Sequence, residues 1–484
     1  MPIHYARRYA FSGLKTHGKP RAYSELLMGP GKTKQLLTDH FRCPEGFAVS
    51  PSPGDLSTES GGFQFGPGAI CYGQLSSGPL AAIMADALNA AHQQVRKKGL
   101  TVQLSFDAAQ FVDYLRFERY VANSTQSNKS RLITNSAVRK IYYGARPIIP
   151  LGLRRQFQKI YLSGWEKVRF PNWPVDRTVE RVFEQLLISA MKSRNVNRVP
   201  FVWFWPDGAR SCAIMTHDVE TTSGLSFCPQ LMDLNDSFGI KASFQIVPEE
   251  RYAVPSSLLE NIRKRGFEVN VHDLNHDGGL FSNRAEFLRR AELINCYRQQ
   301  YGAEGFRSAI LYHNIDWYDA LDFSYDMSIP NVAHLDPQPG GCCTVLPFFI
   351  GKILELPVTA TQDYSLFNIL HDYSIRLWKE QISLIQEDCG LISFIVHPDY
   401  IISACARRIY VELLAYLSDL RSKGEVWMAL PRDVAAWWRL RHEMNLVNAG
   451  GSWCIEGRGS ERARVAYAVL QNDKITYQID PVSQ

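Results

Sequence analysis

The run Cys212-Ala-Ile-Met-Thr-His-Asp218, followed by Val219 and Glu220, decides how the chain reads. It is an apolar stretch of strand length that ends in ionisable side chains. Seven further runs repeat the plan: ASFQIVP (242–248), FEVNVHD (267–273), GFRSAIL (305–311), FSYDMSI (323–329), ILELPVT (353–359), LISFIVHP (391–398) and EVWMALP (425–431). Amphipathic stretches such as Arg284–Tyr301 and Ile409–Lys423 separate several of them. Short apolar runs alternating with helix-length segments specify an α/β fold with a parallel sheet, here an α/β barrel. Barrels of this kind carry their chemistry at the C-terminal ends of the strands. The ionisable residues gather there: His217, Asp218 and Glu220 after the first run, His272, Asp273 and His276 after the third, His397 and Asp399 after the seventh. Arg307 lies in the fourth run and Glu355 in the sixth.

His272 and His276 are four residues apart, so if the chain turns helically after the strand both imidazoles face one way and can share a metal. Asp218 and Glu220 alternate by two, and in extended backbone they point together into the barrel mouth. Two histidines and one carboxylate are a common ligand set for a hydrolytic Zn²⁺, with positions left open for water and a substrate oxygen. The second carboxylate is then free to act as general base. Cleaving an amide also needs an acid to protonate the leaving nitrogen, and His397, at another strand end, is the candidate.

The ordered motifs Thr216-His-Asp-Val-Glu220, His272-Asp-Leu-Asn-His276, Gly305-Phe-Arg307, Glu355-Leu-Pro357 and Val396-His-Pro398 resemble those of the polysaccharide deacetylases, also called the NodB homology family of carbohydrate esterases. The likeness runs from Ser211 to Pro431 and implies a distorted (β/α) barrel with fewer intact strands than a regular one. Carried over position by position, it implies Asp218 as general base, His272 and His276 as metal ligands, Arg307 as the arginine that holds the base, and His397 as general acid. Members often carry two adjacent aspartates, base then ligand; here Val219 stands in the second place, and a D-x-D/E version of the motif moves the ligand role to Glu220. The exchanged assignment, with Asp218 as ligand and Glu220 as base, stays open, and so does a version of the fold that works without metal. Ser308 and Ala309 replace the Pro-Tyr of many members, which leaves the backbone oxyanion donor unassigned. Tyr312, Trp317, Glu355 and Asp399 are the expected substrate-site residues. The faces of Trp317 and Tyr400 suit stacking on a sugar. Asp399 follows the acid by two positions, and Glu355 shapes the site. The implied activity is metal-dependent removal of acetyl groups from N-acetylated sugars of a polysaccharide or its precursor, with a divalent metal, Zn²⁺ first. Two alternatives are a related C–N hydrolase of a small amide, since one fold hosts many substrates, and a catalytically inactive glycan-binding protein. A pure binding module has no need of an acid and a base placed together.

Outward from the barrel, taken as 206–440, the chain divides into an α+β N-terminal region (1–130), a basic and helical connector (131–205) and a small β module (441–484). Residues 50 to 79 are rich in Ser, Gly and Pro and read as loops between short strands. Helices are expected over Pro79–Lys98, Asp107–Ala122, Trp173–Ser193 and Asp433–Glu443, and a hairpin over Ala463–Ile479 about Gln471-Asn472-Asp473. Arg139–Lys159 mixes basic and apolar residues, but Pro147 and Pro150 interrupt any amphipathic helix; peripheral membrane association through this stretch is one reading and a linker packed on the barrel the other. The excess of five Lys and Arg over Asp and Glu is too small to argue for nucleic acid. The ten cysteines show no metal-site spacing and read as free thiols. Arg7 and Arg8 precede no long apolar run, and no segment has the ~18 uninterrupted apolar residues of a spanning helix. A cytoplasmic protein is expected, or one at the inner membrane face where precursors are assembled.

Overall fold

The computed structural model describes residues 36–44, 49–51, 56–64, 70–76, 96–98, 101–104, 108–123, 162 and 164–480. All eight apolar runs are strands: β1 Ser211–Val219, β2 Ser243–Ile246, β3 Glu268–His272, β4 Gly305–Arg307, β5 Tyr325–Asp326, β6 Ile353–Glu355, β7 Leu391–Ile395 and β8 Val426–Ala429. They pair in the order β6-β5-β4-β3-β2-β1-β7, every pair parallel, and Phe348–Ile350 adds an antiparallel edge beyond β6. Helices Thr222–Ser237, Ser256–Lys264, Arg284–Tyr301, Arg376–Glu387 and Ala404–Ser422 fall between strands.

The distortion centres on β1. Its lower half pairs with β7 (Leu391↔Cys212 to Ile395↔Thr216) and, across the other edge, with β8 (Val426↔Ser211 to Ala429↔Ile214). Its upper half pairs with β2 (Thr216↔Ser243 to Val219↔Ile246). The nine residues of β1 are long enough to serve β8 and β2 along one edge in turn, so β8 does not separate β7 from β1 as it would in a regular barrel. Between β6 and β7 the ring has no ladder. The Ala360 N–H donates to the Ser393 carbonyl (3.1 Å), the Thr359 hydroxyl to that of Leu391 (2.7 Å), and the Leu391 N–H to that of Val345 (2.7 Å).

Strand alternation sorts the side chains into two cores. Ala213, Met215, Phe244, Ile246, Val269 and Val271 face outward and pack under the helices with Leu231, Phe287, Ile382 and Leu413. Cys212, Ile214, Tyr325, Leu354 and Leu391 belong to a second core, completed by helices Thr178–Arg194 and Pro431–Glu443 through Phe183, Leu187, Val434 and Trp437. Above that base the inner face turns polar and bonds to itself: Asn270 Nδ2 donates to Ser243 Oγ (2.8 Å) and Tyr325 Oη (2.8 Å), and the Tyr325 hydroxyl donates to Glu268. Gly305 is required here, because a Cβ at that position would stand 2.2 Å from the Tyr325 ring.

Helix Thr178–Arg194 begins where Asp176 Oδ1 accepts the Thr178 N–H (2.8 Å), and Asn331 beyond β5 clamps both polar backbone groups of Asp176 (2.8 Å each). The expected C-terminal hairpin forms as Val465–Gln471 and Lys474–Ile479, with Asn472 and Asp473 both at positive φ as a primed two-residue turn demands. Val465–Gln471 also pairs antiparallel with Arg198–Val202, so the last strands and the chain just before the barrel share one sheet. A second hairpin joins Asn445–Ala449 to Ser452–Glu456.

The reading of Pro79–Lys98 as a helix needs correction at its end: Arg96–Lys98 is a strand, paired antiparallel with Thr101–Leu104. Gly99, two residues before Thr101, was the hairpin signal that the Ala-rich pattern outweighed. Residues 79–95 and the basic stretch Arg139–Lys159 lie outside the described residues. Asp107–Ala122 forms helix Ala108–Arg116 and the 3₁₀ turn Arg119–Asn123. The nine cysteines whose side chains are described, Cys71 not among them, are free. Among the described residues no helix is long and apolar enough to cross a membrane.

Candidate functional site

The polar inner face leads upward to the ends of β1, β3, β4 and β7, where the residues singled out in the sequence meet. Thr216 and Asp218 are successive inward positions of β1, and Glu220 lies one step beyond the strand, just before Thr221 caps the next helix by accepting the Gly224 N–H (3.0 Å). Arg307, the last residue of β4, is fully buried and reaches across the lumen. Its Nη1 donates to Asp218 Oδ1 and to Thr216 Oγ1 (2.7 Å each), and its Nε to the Met327 carbonyl (2.9 Å). One carboxylate oxygen of Asp218 is thereby fixed, and Oδ2 points to His272 Nε2 at 3.7 Å.

His272 closes β3, and its Nδ1 lies 3.1 Å from the Arg307 carbonyl, which directs Nε2 into the site. His276 arrives differently from the expectation. No helical turn follows β3; the chain loops, with Asp273 and His276 both in the left-handed region at φ 55°. The imidazoles still converge, with ring centroids 4.8 Å apart. Arg290 fixes that loop through two bonds to Asp277 (2.7 and 2.8 Å) and one to Asn275 (3.2 Å), and Arg251 binds the carbonyl oxygens of Asn275 and His276.

Glu220 Oε1 stands 2.8 Å from His276 Nε2, 3.7 Å from His272 Nε2 and 3.4 Å from His397 Nε2. Ligand atoms of Glu220, His272 and His276 all fall within 4.8 Å of one another, the one such group of three among the described residues. Both imidazole Nε2 atoms are buried and face carboxylates, Glu220 for each and Asp218 for His272 as well. A carboxylate oxygen facing two buried imidazole nitrogens is satisfied by a proton or by a cation shared between them. Two imidazole nitrogens and one carboxylate oxygen, with Glu220 still 22% open to solvent, are a donor set able to hold a divalent metal with positions to spare.

His397 follows β7 and is held by a residue the sequence reading missed. Asp363 accepts the His397 backbone N–H and its Nδ1–H, each at 2.7 Å, so Nε2 faces the cluster. Tyr400 lies beside the ring (centroids 5.1 Å apart), with Tyr364 5.8 Å further on. Asp363 lies eight residues beyond β6, past the strand-end pattern that marked the other site residues.

The charges are strongly coupled. Burial pushes the Asp218 carboxyl up, but Arg307, then His272 and His397, outweigh it and hold it below the usual range. Burial likewise opposes ionisation of Glu220, and His276, His272 and His397 together hold it well below. For His397 burial favours the neutral ring, yet Asp363 and then Glu220 raise its pKa well above the ordinary value.

The expected substrate residues are not all brought here. Asp399 is: its Oδ1 is buried without a partner, and of the charges that act on its carboxyl His397 has the largest effect. Trp317 instead packs with Phe281 (6.2 Å) and Phe287 (5.4 Å) against the outer core. Glu355 points outward from β6, fully buried, where Oε1 accepts the Ile329 N–H (3.0 Å) and Asp326 is its cross-strand neighbour. Tyr312 is buried just after the turn Ala309–Leu311, in which Ile310 and Leu311 both take positive φ.

No protein-family model and no curated protein matches the chain. Among solved structures it is similar to proteins assigned as polysaccharide deacetylases from Mycobacterium smegmatis (18% identity, 51% of this chain and 96% of that one, TM-score 0.42) and Pseudomonas aeruginosa PAO1 (14%, 49% and 93%, 0.38). It is also similar to the Puue allantoinase (13%, 49% and 92%, 0.38).

Proposed function

We propose that the barrel mouth is a metal-dependent amide-hydrolysing centre that removes acetyl groups from N-acetylated sugars of a polysaccharide or its precursor. The observation that carries this reading is the convergence of Glu220 Oε1 with the buried Nε2 atoms of His272 and His276, beside one carboxylate locked by an arginine and one imidazole locked by a carboxylate. Two buried Nε2 atoms turned onto one carboxylate oxygen favour a centre that holds an ion over one that works without metal. The same cluster favours Glu220 over Asp218 as the third ligand, since Asp218 already spends Oδ1 on Arg307.

When bound at Glu220, His272 and His276, a divalent ion, Zn²⁺ by its donor set, supplies Lewis acidity to the acetyl carbonyl and to the attacking water. The remaining work falls to the chain. Asp218 accepts a proton from water through Oδ2, while Arg307 keeps its other oxygen in place and the carboxylate ionised. His397, protonated at Nε2 because Asp363 holds the charge, donates to the departing nitrogen as the C–N bond breaks. Water adds to the acyl carbon, the amine leaves with one proton, and acetate is the second product. Tyr400 and Tyr364 offer ring faces beside the acid for the sugar.

The test is acetate release from N-acetylated oligosaccharides by the Zn²⁺-loaded protein, beside Asp218→Asn. Turnover by the wild type, lowered by at least about 10²-fold in the variant, is expected. Acetate release at equal rates by both would defeat the assignment of the base, and none from any N-acetylated sugar would defeat the substrate class.

A further inference from the structure

Resting on the metal-binding reading above, we propose that Arg251 opposes ligation by His276, which makes the two histidines unequal ligands and keeps the ion more weakly held than its donor set alone would allow. A neutral imidazole that ligates through Nε2 carries its hydrogen on Nδ1 and needs an acceptor there; that second partner selects which nitrogen is free for the metal. His272 has one, the Arg307 carbonyl at 3.1 Å. His276 has the opposite: its Nδ1 lies 3.2 Å from Arg251 Nη2. A guanidinium has donors and no acceptor, so the ring bonded in this way carries its hydrogen on Nε2, on the side where the ion belongs.

Arg251 is not free to swing aside at no cost. Its Nη2 also donates to the carbonyl of His276, and its Nε to that of Asn275 at 3.2 Å. The guanidinium is thus tied to the loop that it restrains, and that loop holds His276 at a positive φ. Ligation through His276 Nε2 sets two N–H groups against each other at the 3.2 Å contact, so it has to displace Nη2 from the ring while the carbonyl bonds stay. Glu220 and the preset His272 receive the ion unopposed, and His276 completes the shell at a cost that Arg251 imposes.

The experiment uses the full-length protein stripped of metal and titrated with Zn²⁺ in competition with a chromophoric chelator. Arg251→Met and Arg251→Gln each remove the opposing cation, and their dissociation constants for Zn²⁺ are expected to fall about tenfold below that of the wild type, the lower end of the range by which partners of a ligating imidazole tune affinity. Wild-type uptake with no tightening in either variant, or with weaker binding in both, overturns this inference and leaves the metal site standing. A wild type that takes up no zinc overturns both. A second readout needs no folded Arg251 variant: ¹⁵N-histidine spectra of the metal-free wild type, with His276 assigned by its loss in His276→Gln. His276 protonated on Nε2 and bare on Nδ1 is expected, and a hydrogen on Nδ1 contradicts the proposal.

Discussion

Asp363 receives both the backbone N–H and the Nδ1–H of His397, so one carboxylate sets the position, the tautomer and the charge of the ring together. Burial alone would lower the His397 pKa; Asp363 and then Glu220 reverse this and carry it well above the ordinary value. An acid works below its pKa, so activity is lost as pH rises through that value, and taking away the carboxylate brings the loss to lower pH. Asp363→Asn should therefore move the alkaline limb of the kcat/KM profile downward and reduce kcat on the order of 10²-fold; an alkaline limb left where it was would count against His397 as the acid. The five ordered motifs were readable because each sits at a strand end, where period-two alternation predicts which side chains enter the mouth. Asp363 was not, since a single aspartate in a loop carries no pattern until its partner is seen. Trp317 is ambiguous for a related reason: an aromatic near Arg307 reads the same in sequence whether it meets a sugar or, as its ring does here, Phe281 and Phe287.

At the scale of the elements, the lumen of the barrel holds polar groups where a regular barrel stacks branched apolar ones. Glu268 on β3 is the clearest case, buried among Tyr325, Asn270 and the backbone N–H of Arg432, with burial raising its pKa from 4.5 to about 7. For an acid whose pKa is raised on folding, the stabilising share is complete below the unfolded value and is lost as pH rises through the folded one. Glu268→Gln should then gain on the wild type by on the order of 3 kcal/mol in urea unfolding between pH 5 and pH 8, at about 1.4 kcal/mol per pH unit. A constant difference between the two proteins would show that Glu268 is ionised in the fold. Packing beside it is equally tight: a Cβ at Gly305 would meet the Tyr325 ring at 2.2 Å, so Gly305→Ala should destabilise by about 1–3 kcal/mol in the same assay. The strands themselves were legible as apolar runs between breakers. Their distorted closure was not, because the sharing of one edge of β1 by β8 and β2 depends on register between segments far apart in sequence.

Across the whole molecule, the chain on either side of the barrel is joined beneath it. Val465–Gln471 pairs with Arg198–Val202, its Ala466 and Ala468 are fully buried, and Arg441 donates to the carbonyls of His40, Phe41, Val202 and Trp203. Removing residues 465–484 should expose Phe201 and Val199, and the truncated protein should bind a hydrophobic dye and melt at lower temperature than the full chain; an unchanged melting temperature would make the C-terminal strands dispensable. All of this scaffolding serves one geometric result, four strand ends whose side chains meet in a single cluster. The direct measurement is elemental analysis of the purified protein beside Glu220→Ala, His272→Ala and Asp218→Ala. About one Zn²⁺ per chain in the wild type and in Asp218→Ala, lost in Glu220→Ala and His272→Ala, is the predicted result. Zinc retained in Glu220→Ala and lost in Asp218→Ala would contradict it.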